Sequence, residues 1–137
     1  MSNVYINLPI KSVSETDAFF AALGMTKNHF FSSDDTTNAR INDTTVLMLL
    51  EREKFEGFTK RPVPEQSNSQ ILVLQFDTVE EVDALHAKAL AAGATDTTNP
   101  NPESAAFMHL RAFRDVNDHA WEVFAFLVDL PPEATQG

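Results

Sequence analysis

The alternation of apolar and polar residues predicts the same unit twice along the chain: a strand, a helix and then three shorter strands. The first strand of each unit is predicted at 4–10 and at 71–76, where apolar residues dominate. The helix that follows each strand ends at a glycine, Gly24 or Gly93, and glycine is the residue that most often terminates a helix. The pattern therefore predicts a protein built from two similar modules.

An internal repeat supports the two modules. Residues 10–19 (IKSVSETDAF) align with residues 76–85 (FDTVEEVDAL) at an offset of 66. Both segments contain a hydroxyl residue followed three positions later by glutamate, the capping box that satisfies free N–H groups at a helix start. The identical pairs are Val13 and Val79, Glu15 and Glu81, Asp17 and Asp83, and Ala18 and Ala84. Because strand, box, helix and glycine recur in the same order, we interpret the two segments as a repeated unit.

The remaining strands are predicted near 27–31, 37–41 and 45–51 in the first module and near 94–98, 106–114 and 120–126 in the second. A polar linker containing two prolines joins the modules. Within it, Phe55 and Phe58 are spaced like one helical turn, which indicates either a short helix covering the edge of the core or a lid over a pocket.

Composition narrows the possible partners. The chain has 137 residues and is 43% hydrophobic, which predicts one domain: module one 1–54, linker 55–69, module two 70–130 and a loose tail 131–137. The formal net charge of −10 argues against nucleic acid and membranes as partners. The lack of cysteine excludes disulfides and thiolate metal sites. With no signal peptide and no apolar run near the roughly 20 residues that span a bilayer, we expect a cytoplasmic protein.

The most informative residue is Glu122, in the predicted hairpin 107–126. It lies between Trp121 and Val123, and a carboxylate is costly to bury unless another group pairs with it. The partner could be a metal ion, a substrate hydroxyl or a nearby arginine. The sequence leaves these three alternatives open.

The hairpin register decides which groups face Glu122. If Arg114 pairs with His119, Arg111 lies opposite Glu122, and His109 shares their face. A shift of one residue would move His109 and Arg111 to the other face.

Two interpretations of this cluster follow. In the first, Arg111 and Glu122 form a structural ion pair. In the second, the cluster lies in an apolar cup and holds an anionic or carbonyl-bearing ligand. Arg111 would then bind the ligand oxygens, Glu122 or His109 would transfer a proton, and Tyr5 would add a hydrogen bond.

The order of motifs resembles the vicinal oxygen chelate superfamily, which includes glyoxalase I, bleomycin-resistance proteins and extradiol dioxygenases. The resemblance rests on INLPIK at 6–11, AFFAALG at 18–24, VD at 82–83 with KALAAG at 88–93, and FRD at 113–115 with HAWEV at 119–123. It is closest to a bacterial branch labelled "predicted lactoylglutathione lyase". The resemblance implies an α+β fold in which two tandem βαβββ modules form a half-open, cup-like mixed β-barrel with helices outside. It also implies a homodimer.

The same resemblance implies four inward positions that bind a divalent metal in many relatives. They fall at Tyr5, Leu49 (within one register step), Ile71 and Glu122, and only Glu122 is a ligand type. An alignment slip would bring in Glu51 or Gln75. We therefore predict no cofactor and a metal-free protein that binds a small molecule in an apolar cup.

The alternative is a lactoylglutathione lyase-like or isomerase enzyme with a metal-free or atypical metal site. The predicted catalytic residues are Glu122 and His109, and the predicted ligand contacts are Tyr5, Arg111, Phe113, Phe124, Phe55 and Phe58.

Overall fold

A computed structural model describes residues 2–129, so residue 130 of the predicted second module and the predicted loose tail 131–137 lie outside the described residues. The elements in chain order are β1 (Val4–Ile10), α1 (Val13–Ala22), β2 (Thr36–Asn42), β3 (Thr45–Glu51), α2 (Arg52–Thr59), β4 (Ile71–Phe76), α3 (Val79–Ala91), β5 (Thr95–Asp96), β6 (Met108–Arg114) and β7 (Ala120–Phe126). None of these helices is long and apolar enough to cross a membrane.

The strands form two sheets, in the orders β1-β3-β2 and β4-β7-β6-β5. In each sheet the first strand of the module runs parallel to the last, and the remaining pairs are antiparallel. The α+β prediction is confirmed. Neither sheet closes into a barrel over residues 2–129, which is consistent with a half-open cup.

The predicted strand at 27–31 is wrong. A single 3₁₀ turn, His29–Phe31, occupies this stretch. Its cause is Asn38, whose buried side-chain amide donates to the carbonyls of Asn28 and Phe31 and accepts from the Asn28 N–H. These bonds hold the backbone in a loop beside β2, and isolated bridges lie on either side of the 3₁₀ turn, between Thr26 and Arg40 and between Ser33 and Thr36.

The two repeated helices begin alike but not identically. Thr78 and Glu81 form the complete predicted capping box at α3. At α1, Ser12 accepts from the Glu15 N–H, while the carboxylate of Glu51 accepts from the Val13 N–H. Glu51, one of the two residues that an alignment slip would have made a metal ligand, therefore supports a helix start.

Both helices end at their predicted glycines. Gly24 and Gly93 have φ angles of +83° and +111°, in the left-handed region that costs glycine little. The C-terminal stops of α1 and α3 are thus confirmed.

The core lies between the sheets and the helices. Its largest members are aromatic: Phe113 stacks on Trp121 with ring centres 5.9 Å apart, and Phe19 and Phe20 of α1 contact this pair. Trp121 and Phe113 are 1% and 0% exposed. Burying a side chain of this size stabilises the fold by about 1.5–3 kcal/mol.

The turn between β6 and β7 is built around the buried carboxylate of Asp115. This group accepts from the Trp121 Nε1–H at 2.8 Å and from the backbone N–H groups of Asn117 and His119. Asp118 has a φ of +67°, in the left-handed region that aspartate adopts at modest cost. A charged group is tolerated inside because these three donors replace water.

The same turn connects the two modules. Asn117 donates to the Thr16 hydroxyl and accepts from the Lys11 N–H, at 3.0 and 2.8 Å. The buried His119 Nε2–H donates to the carbonyl of Pro9 at 2.6 Å. His119 therefore helps to shape the turn and also links module two to β1.

Candidate functional site

Each sheet packs one face under α1 or α3, and the other face is open over part of its area; on that side of the first sheet, Val46 and Leu50 are buried. Alternation along the strands places Tyr5, Met48, Ile71, Val73, Glu122 and Phe124 on the open side, and we call these six residues the open face. Tyr5, Ile71 and Val73 are 53%, 56% and 51% exposed. Large apolar side chains with this exposure mark a surface that suits a ligand or a partner.

Glu122 is the only carboxylate among these six residues. It lies on β7 between Val73 of β4 and Ala112 of β6, and its own side chain is half-buried. Over residues 2–129, no side chain or backbone group forms a hydrogen bond or ion pair with it. The carboxylate has therefore lost part of its hydration without gaining a protein partner, which leaves it able to bind a donor or a cation.

The predicted pairing of Arg111 with Glu122 is wrong by one residue. Arg111 lies opposite Val123, and Glu122 lies opposite Ala112. The reason is the turn: the His119 carbonyl accepts from the Asp115 N–H, so Arg114 pairs with Ala120 instead of His119. The shift moves His109 and Arg111 to the helix side of the sheet.

On that side, both residues contact Asp83 of α3. The distances from Asp83 Oδ1 to His109 Nε2 and Arg111 Nε are 2.7 and 3.4 Å. The hydrogen bond from His109 is the largest cause of a lowered pKa at Asp83, and partial burial opposes it. Neither His109 nor Arg111 joins Glu122 in one cluster.

Module one contains an equivalent contact. Asp17, the residue that aligns with Asp83, accepts from the Thr37 hydroxyl and pairs with Lys27 Nζ at 2.8 Å. Thr37 occupies in β2 the position that Arg111 occupies in β6. The identical aspartates of the repeat therefore connect each helix to its sheet. The identity of Asp17 and Asp83 in the repeat is the sequence signal for this shared role. The predicted register places His109 and Arg111 on the other side of the sheet, away from Asp83, and so does not reveal the contact.

The other predicted contacts divide between three places. Tyr5 and Phe124 lie on the open face. Phe113 is buried in the core at 0% exposure. Phe55 and Phe58 lie on α2, which confirms a helical turn there; Phe55 lines a cleft of about 260 Å³ with Asn7 and Pro9, whereas Phe58 is 69% exposed.

The four positions that the sequence resemblance implies for a metal do not supply a donor set for a divalent ion. Leu49 is buried on the helix side. Its neighbour Met48 occupies in module one the position of Glu122 in module two, because Met48 lies opposite Asn7 of β1 as Glu122 lies opposite Val73 of β4. Tyr5 and Ile71, at the other two positions, lie on the open side. One carboxylate with a thioether, a phenol and an alkyl group does not match the ligands of Zn²⁺, Ni²⁺ or Fe²⁺. Within residues 2–129, no three His, Cys, Asp or Glu side chains come together as a metal site.

No protein-family model and no curated protein matches the sequence. Solved structures do match the fold. Hypothetical protein SA1046 of S. aureus is 24% identical, with 91% of this chain and 94% of that chain covered and a TM-score of 0.78. A glyoxalase/bleomycin resistance protein/dioxygenase family enzyme of Burkholderia phytofirmans is 18% identical, with coverage of 93% and 100% and a TM-score of 0.78.

Lactoylglutathione lyase of Agrobacterium tumefaciens is 13% identical, with coverage of 90% and 92% and a TM-score of 0.64. Identities this low establish the fold and leave the reaction unassigned. The chain thus has the fold of solved proteins of the glyoxalase/bleomycin resistance/dioxygenase kind, without a specific activity assigned.

Proposed function

We propose that the open face binds a small organic molecule at Glu122, without the divalent metal usual for this fold. The observation that carries the proposal is the half-buried Glu122 carboxylate, which has no partner among residues 2–129 and stands beside Val73 and Ala112. A partly desolvated carboxylate gains most from a ligand that donates a hydrogen bond or brings a positive charge.

The charge of the protein suggests the class of ligand. A net charge of −10 raises the local concentration of cations and repels anions. The surrounding open face is apolar, with Ile71 and Val73 about half exposed. The expected ligand is therefore an apolar molecule carrying an ammonium or similar donor, bound through its charge at Glu122 and through its body at these side chains. We expect this protein to act in the cytoplasm.

A homodimer completes the proposal. The open face leaves Tyr5, Ile71 and Val73 uncovered, and a second copy of the chain would remove these side chains from water. A cup closed in this way would place Glu122 in a drier environment, where its interaction with a cation is stronger.

The alternative function is an enzyme of the lactoylglutathione lyase or isomerase kind, with a metal-free or atypical metal site. Its support is the fold shared with the Agrobacterium enzyme and the position of Glu122, because a carboxylate among apolar groups is a suitable proton acceptor. His109, the second predicted catalytic residue, is hydrogen-bonded to Asp83 on the opposite side of the sheet. In the enzyme alternative, Glu122 therefore carries the proton transfer alone.

A melting panel tests the proposal. The purified protein is heated with apolar ammonium compounds, with their uncharged hydroxyl analogues and with glutathione adducts. We expect some ammonium compounds to raise the melting temperature by several degrees and their neutral analogues to raise it less. Glu122→Gln should lose this difference, whereas Glu103→Gln, in an exposed loop, should keep it.

The enzyme alternative is tested in parallel, by turnover of the methylglyoxal–glutathione adduct with and without a chelator. Turnover that depends on Glu122 would favour the enzyme. A response to no compound in a broad panel would overturn the binding proposal.

A further inference from the structure

A second, smaller cavity lies at the open side of module one. Its volume is about 110 Å³, and its lining includes Tyr5, Lys27, Phe31, Asn38, Arg40 and Val46. Tyr5 belongs to the open face, while the other side chains come from β2, β3 and the loop that contains the 3₁₀ turn. Apart from Tyr5, none of them belongs to the open face.

Most polar groups around this cavity are already bonded. The Asn38 amide is used by the loop backbone at Asn28 and Phe31, with a shortest distance of 2.8 Å. The Lys27 ammonium pairs with Asp17 at 2.8 Å. Within residues 2–129, the Tyr5 hydroxyl forms no hydrogen bond. The cavity therefore presents the Tyr5 hydroxyl and the guanidinium of Arg40 to a ligand.

Arg40 is held in place but not neutralised. Its Nη1 donates to the carbonyls of Asn42 and Asp43, at 3.0 and 3.1 Å, which fixes the plane of the guanidinium. Over residues 2–129, it has no carboxylate partner within 4 Å. Its Nη2 and Nε donors are thus left for another acceptor.

The repeat supplies a comparison for Arg40. Arg114 occupies the equivalent position in the hairpin of module two, and its Nη1 likewise donates to a turn carbonyl, that of Asp118, at 2.8 Å. However, Arg114 Nη2 donates to Asn68 at 2.8 Å, and its Nε lies 4.0 Å from the Asp118 carboxylate. At equivalent positions of the two modules, Arg114 therefore bonds to groups of the protein, whereas Arg40 keeps Nη2 and Nε donors that can bind a ligand.

We propose that this cavity is a binding subsite for a carboxylate or similar oxyanion attached to a small flat apolar group. The carboxylate accepts from Arg40 Nη2 and Nε, a geometry that guanidinium favours, and from the Tyr5 hydroxyl. The flat group packs against the rings of Phe31 and Tyr5 and against Val46. The cavity, at about 110 Å³, is smaller than the roughly 150 Å³ that encloses benzene, so a ring would enter it only in part and the acid group would lie at the open mouth.

The net charge of the protein bears on how selectively this cavity would bind an anion. A protein with a net charge of −10 repels anions in general, so an anion that binds here does so through specific contacts. The inference deepens the proposed function, because the subsite lies beside the same open face and adds an anion-binding position to the cation-binding position at Glu122.

The test is an NMR titration with para-fluorobenzoate as the probe and para-fluorobenzyl alcohol as its uncharged analogue. Fluorine spectra report probe binding, and amide spectra report the site. We expect the benzoate to bind and to shift the amide signals of Phe31 and Val46, and we expect the alcohol to bind more weakly. Arg40→Met should weaken benzoate binding roughly tenfold, the effect of losing a hydrogen bond to a charged group.

Two further variants complete the design. Tyr5→Phe removes one hydroxyl without changing the ring, and it should weaken benzoate binding severalfold. Arg61→Met removes an exposed arginine that lies outside this cavity, and it should leave the affinity unchanged. If Arg40→Met fails to fold, Tyr5→Phe and the comparison of the two probes still decide the matter.

The outcomes separate this inference from the proposed function. Equal affinity of benzoate for the wild type and Arg40→Met, equal binding of the two probes, or no binding at all overturns the subsite. Any of these results alongside Glu122-dependent cation binding overturns the subsite alone. Benzoate binding that depends on Arg40, without any cation response, supports the subsite and counts against the proposed function.

Discussion

Asp83 Oδ1 of α3 lies 2.7 Å from His109 Nε2 of β6, on the side of the sheet opposite Glu122. This relationship redefines the candidate site. His109, predicted from the sequence as a catalytic residue, connects a helix to its sheet, as Thr37 does with Asp17 in the first module. Glu122 is left as the ionisable group of the open face in module two.

The contact at Asp83 predicts a pH-dependent contribution to stability. The pKa of Asp83 is lowered from 3.8 in the folded state, chiefly by the hydrogen bond from His109. A carboxyl group with a depressed folded pKa stabilises the fold above its unfolded pKa and loses this contribution as the pH falls through the folded value. Asp83→Asn should therefore be less stable than the wild type near neutral pH, by under about 1 kcal/mol because the group is half exposed.

Urea denaturation of the wild type and Asp83→Asn checks this prediction. The difference in unfolding free energy should be fully present above about pH 5, where Asp83 is ionised in both states, and should shrink as the pH falls below about pH 4. Glu80→Gln, an exposed carboxylate on the same helix, is the control for the general effect of removing a charge. A difference that grows at acid pH would contradict the assignment.

The absence of a protein partner for Glu122 within residues 2–129 predicts a gain of stability on its removal. Glu122→Leu replaces a half-buried carboxylate by an apolar group between Val73 and Ala112. The free protein should become more stable by about 1 kcal/mol and lose its response to ammonium ligands, since binding groups are commonly kept at a cost in stability. Thermal melts of both proteins without ligand measure the effect. A marked loss of stability would show that Glu122 has a structural partner.

The bond from His119 to Pro9 predicts a large stability loss at the junction of the modules. His119→Ala removes a buried ring that donates across the modules at 2.6 Å and leaves the Pro9 carbonyl unpaired. The expected cost is about 2 kcal/mol or more. His29→Ala, at an exposed position, should cost little. Similar denaturation midpoints for the two variants would argue against the junction.

The uncovered open face predicts a homodimer. Light scattering at micromolar concentration should give about twice the chain mass of 15.2 kDa. Val73→Lys places a charge on this face and should shift the protein towards the monomer, whereas Ala87→Lys on the outer side of α3 should not. A monomeric wild type would contradict the dimer.

Local patterns predicted most of the fold, because capping residues, glycine stops and alternation act over a few neighbouring residues. The bounds predicted for β7, 120–126, coincide with those observed. The 3₁₀ turn at His29–Phe31 escaped prediction because its cause is Asn38, a residue of the next strand.

The hairpin register failed for a similar reason. Alternation fixes which residues share a face within one strand, but the pairing between strands depends on how many residues the turn takes up. Here the Asp115 carboxylate binds the N–H groups of Asn117 and His119, and this longer turn shifts the register by one. This one-residue shift in register decides that His109 and Arg111 lie on the helix side of the sheet and not beside Glu122.

The most direct test of the central claim is the affinity of the strongest ammonium ligand from the melting panel, measured by calorimetry for the wild type and Glu122→Gln. The exchange preserves shape and removes the charge. Because a hydrogen bond to a charged group is worth about 1.5–3 kcal/mol, Glu122→Gln should bind at least about tenfold more weakly. Equal affinities for the two proteins would contradict the claim that Glu122 is the binding group of the open face.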